Sequence, residues 1–445
     1  MQWTPNPAVL SIQRLNRLQN KLDLMFADVQ SGATRVVMSE KDPCWVGVSD
    51  DLIFLDKKEQ FVWTSERSGY LHAYLFDYNG RLLYPLTAGE WELSALHGLD
   101  ETAGWLYATG KKDGVVDQNV YRASLDGKSF ERLSQRPGWH GPNLSPDFKH
   151  VIGTFSDAKT PAQISLRKTD GNLVSWLEKN ENTALSQFAP VAPQFLKVKT
   201  GDDGTLLNAW MMKPANFDSS KKYPVIMFCY SGPGAQHVVN RWEGSRYLWH
   251  SLMTEKGFII FCIDSRGTGG QGKKFKNLAY GDLGKWSTHD QIEGAKYLAS
   301  LPYVDANRIG IWGHSGGGYL TCMAMTKGAP HFKAGIARAP VTDFLLYDSI
   351  WTERYMGLPK DNSEGYKSTS VMTHIDRLQG KLLLVHGMAD DNVHLQNTVQ
   401  LQNALQDLNK QFEVMYYHGR NHRLSGGNTD LHLHTLMTEF FMENL

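Results

Sequence analysis

The pentapeptide Gly313-His314-Ser315-Gly316-Gly317 leaves the backbone around it little choice. An apolar run, Arg308-Ile309-Gly310-Ile311-Trp312, precedes it. Tyr319-Leu320-Thr321-Cys322-Met323-Ala324-Met325 follows with the character of a buried helix. A serine at the centre of G-x-S-x-G, between a strand and a helix, predicts the sharp elbow that lifts a hydroxyl above a sheet edge. The turn strains the serine, and flanking glycines let other backbone approach without a Cβ in the way. The pentapeptide alone would also suit an ordinary glycine-rich turn; its flanks argue for a nucleophile.

A serine hydroxyl needs a base to take its proton and a carboxylate to orient that base. On α/β-hydrolase sheets these follow in the order Ser, Asp or Glu, His. Lys381-Leu382-Leu383-Leu384-Val385-His386 reads as a strand, and Asp390 and Asp391 lie in the loop leaving it. Phe412-Glu413-Val414-Met415-Tyr416-Tyr417 reads as another strand, followed by Gly419-Arg420-Asn421-His422. Loops beyond the carboxyl ends of parallel strands share one rim, so Ser315, Asp390 and His422 are expected to meet there. Spacing does not separate Asp390 from Asp391. His418, His432 and His434 compete with His422 but read as structural, and His386 reads as a strand-end packing residue.

Four segments carry a resemblance: Tyr230-Ser231-Gly232-Pro233-Gly234, Asp264-Ser265-Arg266-Gly267-Thr268-Gly269, Asp348 to Gly357, and His386-Gly387-Met388-Ala389-Asp390-Asp391-Asn392-Val393-His394. With the serine motif, they make the chain similar to the prolyl oligopeptidase family of serine peptidases, in its dipeptidyl peptidase IV branch. The resemblance implies Asp390 rather than Asp391 as the acid. It also implies an oxyanion hole from Tyr230 and the Gly316 N–H, a sensible use of preorganised donors. It further implies a substrate pocket of Val341, Phe344, Tyr347, Trp351 and Val393, with Asn392 binding a substrate carbonyl and proline or alanine preceding the scissile bond. Two positions depart from the branch: Gly316 replaces an aromatic residue, and Trp351 stands where a tyrosine is usual.

Gly267-Thr268-Gly269-Gly270-Gln271-Gly272 matches G-x-G-x-x-G and follows an apolar strand, Gly257 to Ile263. A dinucleotide site would need a helix next and an acidic residue about 20 positions on. Lys273-Lys274-Phe275-Lys276-Asn277 opens no apolar helix, so the loop is expected to shape the rim of the site instead.

The first part of the chain has a different rhythm. Strand pairs flank Ser31-Gly32, Asn79-Gly80, Asp126-Gly127 and Asp170-Gly171, each a hairpin signal. They recur about every 45 to 50 residues, the period of a four-stranded propeller blade. Phe61 to Arg67 and Asn143 to Asp147 look like further blade strands, although an unrelated sandwich of hairpins would share the pattern. The fold expected is therefore an all-β partial propeller of about four blades over 1–185, then an α/β-hydrolase domain over 190–445. Asn180 to Pro193 is the crossing.

The 445 residues carry 46 basic and 46 acidic side chains, a balance that points away from nucleic acid. No apolar run approaches the ~20 residues of a membrane span. Met1 to Pro7 lacks a signal-peptide pattern. Cys44, Cys229, Cys262 and Cys322 have no metal-ligand spacing, and neither metal nor cofactor is expected. The family's propeller has roughly twice as many blades, so a fragment or truncation is expected, with self-association, including a homodimer, at uncovered blade faces. The branch's amine-anchoring glutamate pair has no match, because no Glu-Glu occurs. The function expected is a serine peptidase acting on peptide substrates through an acyl-enzyme. An esterase or acyl-peptide hydrolase, or an impaired fragment serving as a binding module, are the alternatives. The compartment is not written in the chain, though the resemblance implies export for a full-length bacterial relative.

Overall fold

A computed structural model describes residues 1–445 apart from Ser49, Ala189 and Ser231, so Ser231 of the Tyr230–Gly234 segment lies outside the described residues. The chain forms two compact units. Met1–Thr183 make the first, joined by Val239–Trp242 and Gly270–Phe275 from later in the sequence.

That unit is a partial β-propeller of four antiparallel four-stranded sheets. The first holds β1 (Gln2–Trp3), β2 (Val9–Leu15), β3 (Lys21–Asp28) and β4 (Thr34–Lys41). The second holds β5 (Ile53–Phe54), β6 (Gln60–Ser65), β7 (His72–Asp77) and β8 (Leu82–Pro85). The third holds β9 (Leu93–Asp100), β10 (Trp105–Gly110), β11 (Asn119–Ser124) and β12 (Phe130–Arg132). The fourth holds β13 (Trp139–Leu144), β14 (His150–Ser156), β15 (Gln163–Lys168) and β16 (Leu173–Glu178). Each predicted hairpin joins the third and fourth strands of its sheet, and its glycine has positive φ, from 69° at Gly32 to 92° at Gly171. One expectation shifts: β13 ends at Leu144, and Ser145 begins the turn, its amide donating to the His150 carbonyl.

Packing explains why these strands lack a clean inside–outside alternation. Phe61, Trp63, Tyr74 and Phe76 join Leu22, Leu24 and Phe26 of the first blade in one core. The residues between them, Val62, Ala73 and Leu75, join Trp91, Leu93 and Leu106 in a second core toward the third blade. A blade between two neighbours buries both faces, so period-two residues are apolar on both sides. The fourth blade leaves Ile152, Leu173 and Leu177 exposed.

The late segments are held by polar bonds. The amides of Gly270 and Gly272 both donate to the Glu92 carboxylate at 2.9 Å, and Lys273 pairs with Asp42. A Cβ on Gly272 would fall 2.7 Å from the Tyr70 ring, so this glycine permits a close approach. The end of the G-x-G-x-x-G motif thus cradles a protein carboxylate. Asn240 accepts from the Ala158 amide and donates to Asp117.

The second unit is an α/β-hydrolase fold on an eight-stranded sheet. Its strands are β17 (Gln194–Lys199), β18 (Leu206–Met212), β19 (Tyr223–Phe228), β20 (Ile259–Ile263), β21 (Val304–His314), β22 (Ala334–Arg338), β23 (Lys381–Gly387) and β24 (Glu413–Tyr417), in the order β17-β18-β20-β19-β21-β22-β23-β24. β17 and β18 are antiparallel, and β20 through β24 run parallel. Val225, Ile226, Ile259, Ile260, Ile311 and Leu384 are almost completely buried, as a sheet covered on both faces requires. Helices Lys285–Ser300, Gly316–Lys327, Gln396–Asp407 and Thr429–Asn444 are among those that cover it. No helix among the described residues is long and apolar enough to cross a membrane.

The two-sided burial of β7 yields a stability prediction. Leu75→Ala should cost about 2–5 kcal/mol in urea unfolding, with little change in the slope of the transition. A surface substitution such as Lys128→Ala should stay within about 0.5 kcal/mol.

Candidate active site

The parallel strands deliver the predicted residues to their carboxyl ends. Tyr230 follows β19, Ser315 follows β21, Asp390 follows β23 and His422 follows β24. Ser315 takes φ 60° and ψ −119° between the end of β21 and helix Gly316–Lys327, the strained conformation of an elbow. Its N–H donates to the Arg338 carbonyl at 2.8 Å, and its own carbonyl accepts from Tyr319. A Cβ on Gly317 would lie 2.3 Å from the Cys229 carbonyl oxygen, and one on Gly313 would lie 2.4 Å from Gly317. The glycines are therefore conditions of the turn.

His422 Nδ1 lies 2.7 Å from Asp390 Oδ2. The His422 ring packs 4.6 Å from that of His314, the residue before Ser315, which brings it against the elbow. The other carboxylate oxygen, Oδ1, accepts from the amides of Asn392 and Val393 at 3.0 and 2.9 Å. Burial by itself raises the Asp390 pKa, but hydrogen bonds from His386 and His422 outweigh it and hold the carboxyl below the usual carboxylate range. Burial, with Arg338 and His422 nearby, pushes His314 well below an ordinary imidazole. Asp391 is exposed, and Asp390 is the aspartate that meets His422.

A pocket of about 80 Å³ opens at the elbow, where Tyr230, Ser315 and Gly316 face Val341, Phe344, Tyr347 and Trp351. Phe344 and Trp351 stack with centroids 6.0 Å apart, and Tyr347 meets Trp351 edge-on at 5.4 Å. Burial raises the Tyr230 pKa, so its phenol keeps its proton. The Tyr347 hydroxyl donates to Asn392 Oδ1 at 2.9 Å, which ties Asn392 to the pocket wall. Val393 is fully buried; its amide serves Asp390 and its carbonyl serves His386. Gly267 and Thr268 line the same pocket, so the first half of the glycine-rich loop does shape the site.

Sequence reasoning gave no role to Arg266, whose side chain also lines this pocket and is nearly buried. It contacts Asp290, Asp202 and Asp203 at 2.7, 2.9 and 3.1 Å, and its guanidinium lies 3.9 Å from the Trp286 ring centroid. The signal was present as Asp202-Asp203 upstream and Asp290 downstream, but only folding joins them. Of the rival histidines, His432 contacts the Tyr417 hydroxyl and His434 the Asp430 carbonyl, both structural contacts.

Residues 246–445 match the prolyl oligopeptidase family model, and residues 1–162 match that of the dipeptidyl peptidase IV N-terminal region. The chain belongs to the prolyl oligopeptidase family, in its dipeptidyl peptidase IV branch. It is 31% identical over 463 residues to a probable dipeptidyl-aminopeptidase B of Aspergillus fumigatus, covering 99% of this chain and 50% of that protein. A protein of the same description from Arthroderma benhamiae is 34% identical over 415 residues, covering 88% of this chain and 45% of its own length. This family member thus spans about half the length of the curated relatives it matches. Among solved structures, dipeptidyl peptidase 4 of Porphyromonas gingivalis superposes with a TM-score of 0.95 at 37% identity, over 100% of this chain and 63% of that one. A putative dipeptidyl aminopeptidase IV from Bacteroides ovatus gives 0.92 at 30% identity, over 100% and 66%.

The depressed Asp390 carboxyl makes a prediction with a definite sign. A group whose pKa falls on folding stabilises the fold fully above its unfolded value, and that stability is lost as pH drops through the folded one. Asp390→Asn should therefore lower Tm most near neutral pH. The gap from wild type should begin to close only below about pH 4, the ordinary carboxylate range. Thermal melts of both proteins across that range are the check.

Proposed function

We propose that this chain is a serine dipeptidyl peptidase, with a partial propeller over 1–185 and an α/β-hydrolase domain over 190–445, acting on peptide substrates through an acyl-enzyme. The 2.7 Å contact between His422 and Asp390, beside a serine held at positive φ, carries the reading. Ser315 attacks the scissile carbonyl while His422 takes its proton and returns it to the leaving amine. Asp390 orients His422 and offsets the imidazolium charge. The Tyr230 phenol and the Gly316 amide donate to the oxyanion. Val341, Phe344, Tyr347 and Trp351 seat the residue before the scissile bond, and their flat aromatic faces suit proline. Asn392 receives a substrate carbonyl, and Val393 supports its loop from beneath. Because Gly316 brings no side chain to the pocket, a broader acyl group also fits the reading.

Three measurements test this. Fluorophosphonate labelling of the folded chain should disappear in Ser315→Ala, and Tyr230→Phe should lower kcat on a chromogenic X-Pro amide about 100-fold. The X-Pro amide with a free amino terminus should turn over faster than its N-acetylated twin. Equal turnover would reduce the assignment to a broad serine peptidase, and absence of labelling would remove the triad reading.

A further inference from the structure

Asp390 has a second histidine neighbour to which the proposed reaction gives no part. His386, near the end of β23, is fully buried, and both its ring nitrogens have partners. Nε2 lies 2.8 Å from the Val393 carbonyl oxygen and 3.2 Å from Asp390 Oδ2. Nδ1 lies 2.7 Å from Oγ1 of Thr398, itself fully buried in helix Gln396–Asp407. A carbonyl and a carboxylate only accept, so Nε2 must carry the hydrogen. A threonine hydroxyl can donate, so Nδ1 can accept from Thr398.

Oδ2 therefore faces two imidazoles, His422 at 2.7 Å and His386 at 3.2 Å, while Oδ1 takes two backbone amides. We propose that His386 is a positioning residue, fixed by Thr398, that joins the Val393 carbonyl to Asp390 Oδ2 and so sets the angle at which the carboxylate meets His422. This inference rests on the Ser315, His422 and Asp390 reading given above. Amides on Oδ1 alone leave the carboxylate free to rock about them. A rigid ring held at both nitrogens stops that motion on the Oδ2 side. The same donor also draws charge from Oδ2. Without it, Asp390 would interact more strongly with a protonated His422.

The other titratable or charged groups around this pair are His314, whose ring packs on His422, Arg338, which acts on His314, and Tyr347, which feels the Asp390 charge. None of them is altered in the variants below, so a shift reports on His386. Fluorophosphonate labelling followed across pH is the readout, because it needs the triad but no peptide preference, and Ser315→Ala is the blank. His386→Leu should slow labelling about 10- to 100-fold. It should also move the acid limb upward by about half a pH unit. His386→Gln offers an amide N–H near the Nε2 position and should recover to within about three-fold of wild type. Thr398→Val should fall between, because it frees the ring but keeps it. Wild-type rate and limb in a folded His386→Leu would overturn the proposal, as would His386→Gln being no faster than His386→Leu. Should His386→Leu fail to fold, an unchanged Thr398→Val profile would overturn it equally. Loss of Ser315-dependent labelling in the wild type would sink the triad reading itself, whereas normal labelling with indifferent variants would sink only the role of His386.

Discussion

The site depends on how closely the start of one helix approaches the end of a neighbouring strand. Helix Gly316–Lys327 begins so near the end of β19 that the Cys229 carbonyl occupies space a Cβ on Gly317 would need. The same crowding excludes a side chain at Gly313. Only a chain turning through positive φ at Ser315 can leave β21 and enter the helix within that space. The strain is stabilised from below by the bond between the Ser315 amide and Arg338 and by nearly complete burial of Leu320, Met323 and Ala324. Ala339, at the end of β22, is held at φ 41°, so two neighbouring strand ends store strain on the same rim. Strain of about 1–3 kcal/mol per residue persists only where the surroundings over-determine it, and a doubly covered parallel sheet supplies such surroundings.

Electrostatics on the rim follow from the same compression. Asp390 is removed from water, which opposes its charge, yet its donors keep it ionised. His314 is driven neutral by burial, so no second imidazolium stands against His422. Arg266 meets the opposite problem, a nearly buried cation, and solves it with three aspartates and the face of Trp286. Breaking such a cluster by removing one partner leaves buried charge uncompensated.

Most of this arrangement was legible because the signals are local. The elbow, the apolar runs of β21 and β23, and the Asn-Gly and Asp-Gly turns are each specified by adjacent residues. The expected order of Ser315, Asp390 and His422 came from which strand each loop follows, and spacing there is informative because parallel strands share a rim. What stayed hidden is what long-range contact decides. Asp390 and Asp391 are equivalent in sequence and differ only in that one is buried against His422 while the other faces solvent. Val393 reads as a pocket wall, and nothing in the sequence signals that its amide meets Asp390 and its carbonyl meets His386.

The glycine-rich loop shows the limit most clearly. G-x-G-x-x-G usually means backbone amides gathered around an anion, and that physics is present here. Gly270 and Gly272 do converge on negative charge, but the charge is Glu92, nearly 180 residues earlier in the chain. The motif specifies an anion cradle; it does not specify whether the anion is a ligand or a side chain. The lack of an apolar helix pattern after the motif argued against a dinucleotide, and the helix that does follow, Lys273–Lys276, is a single turn. Identifying the carboxylate instead required knowing which part of the first unit the loop meets, and Glu92, just before β9, is far from the motif in sequence.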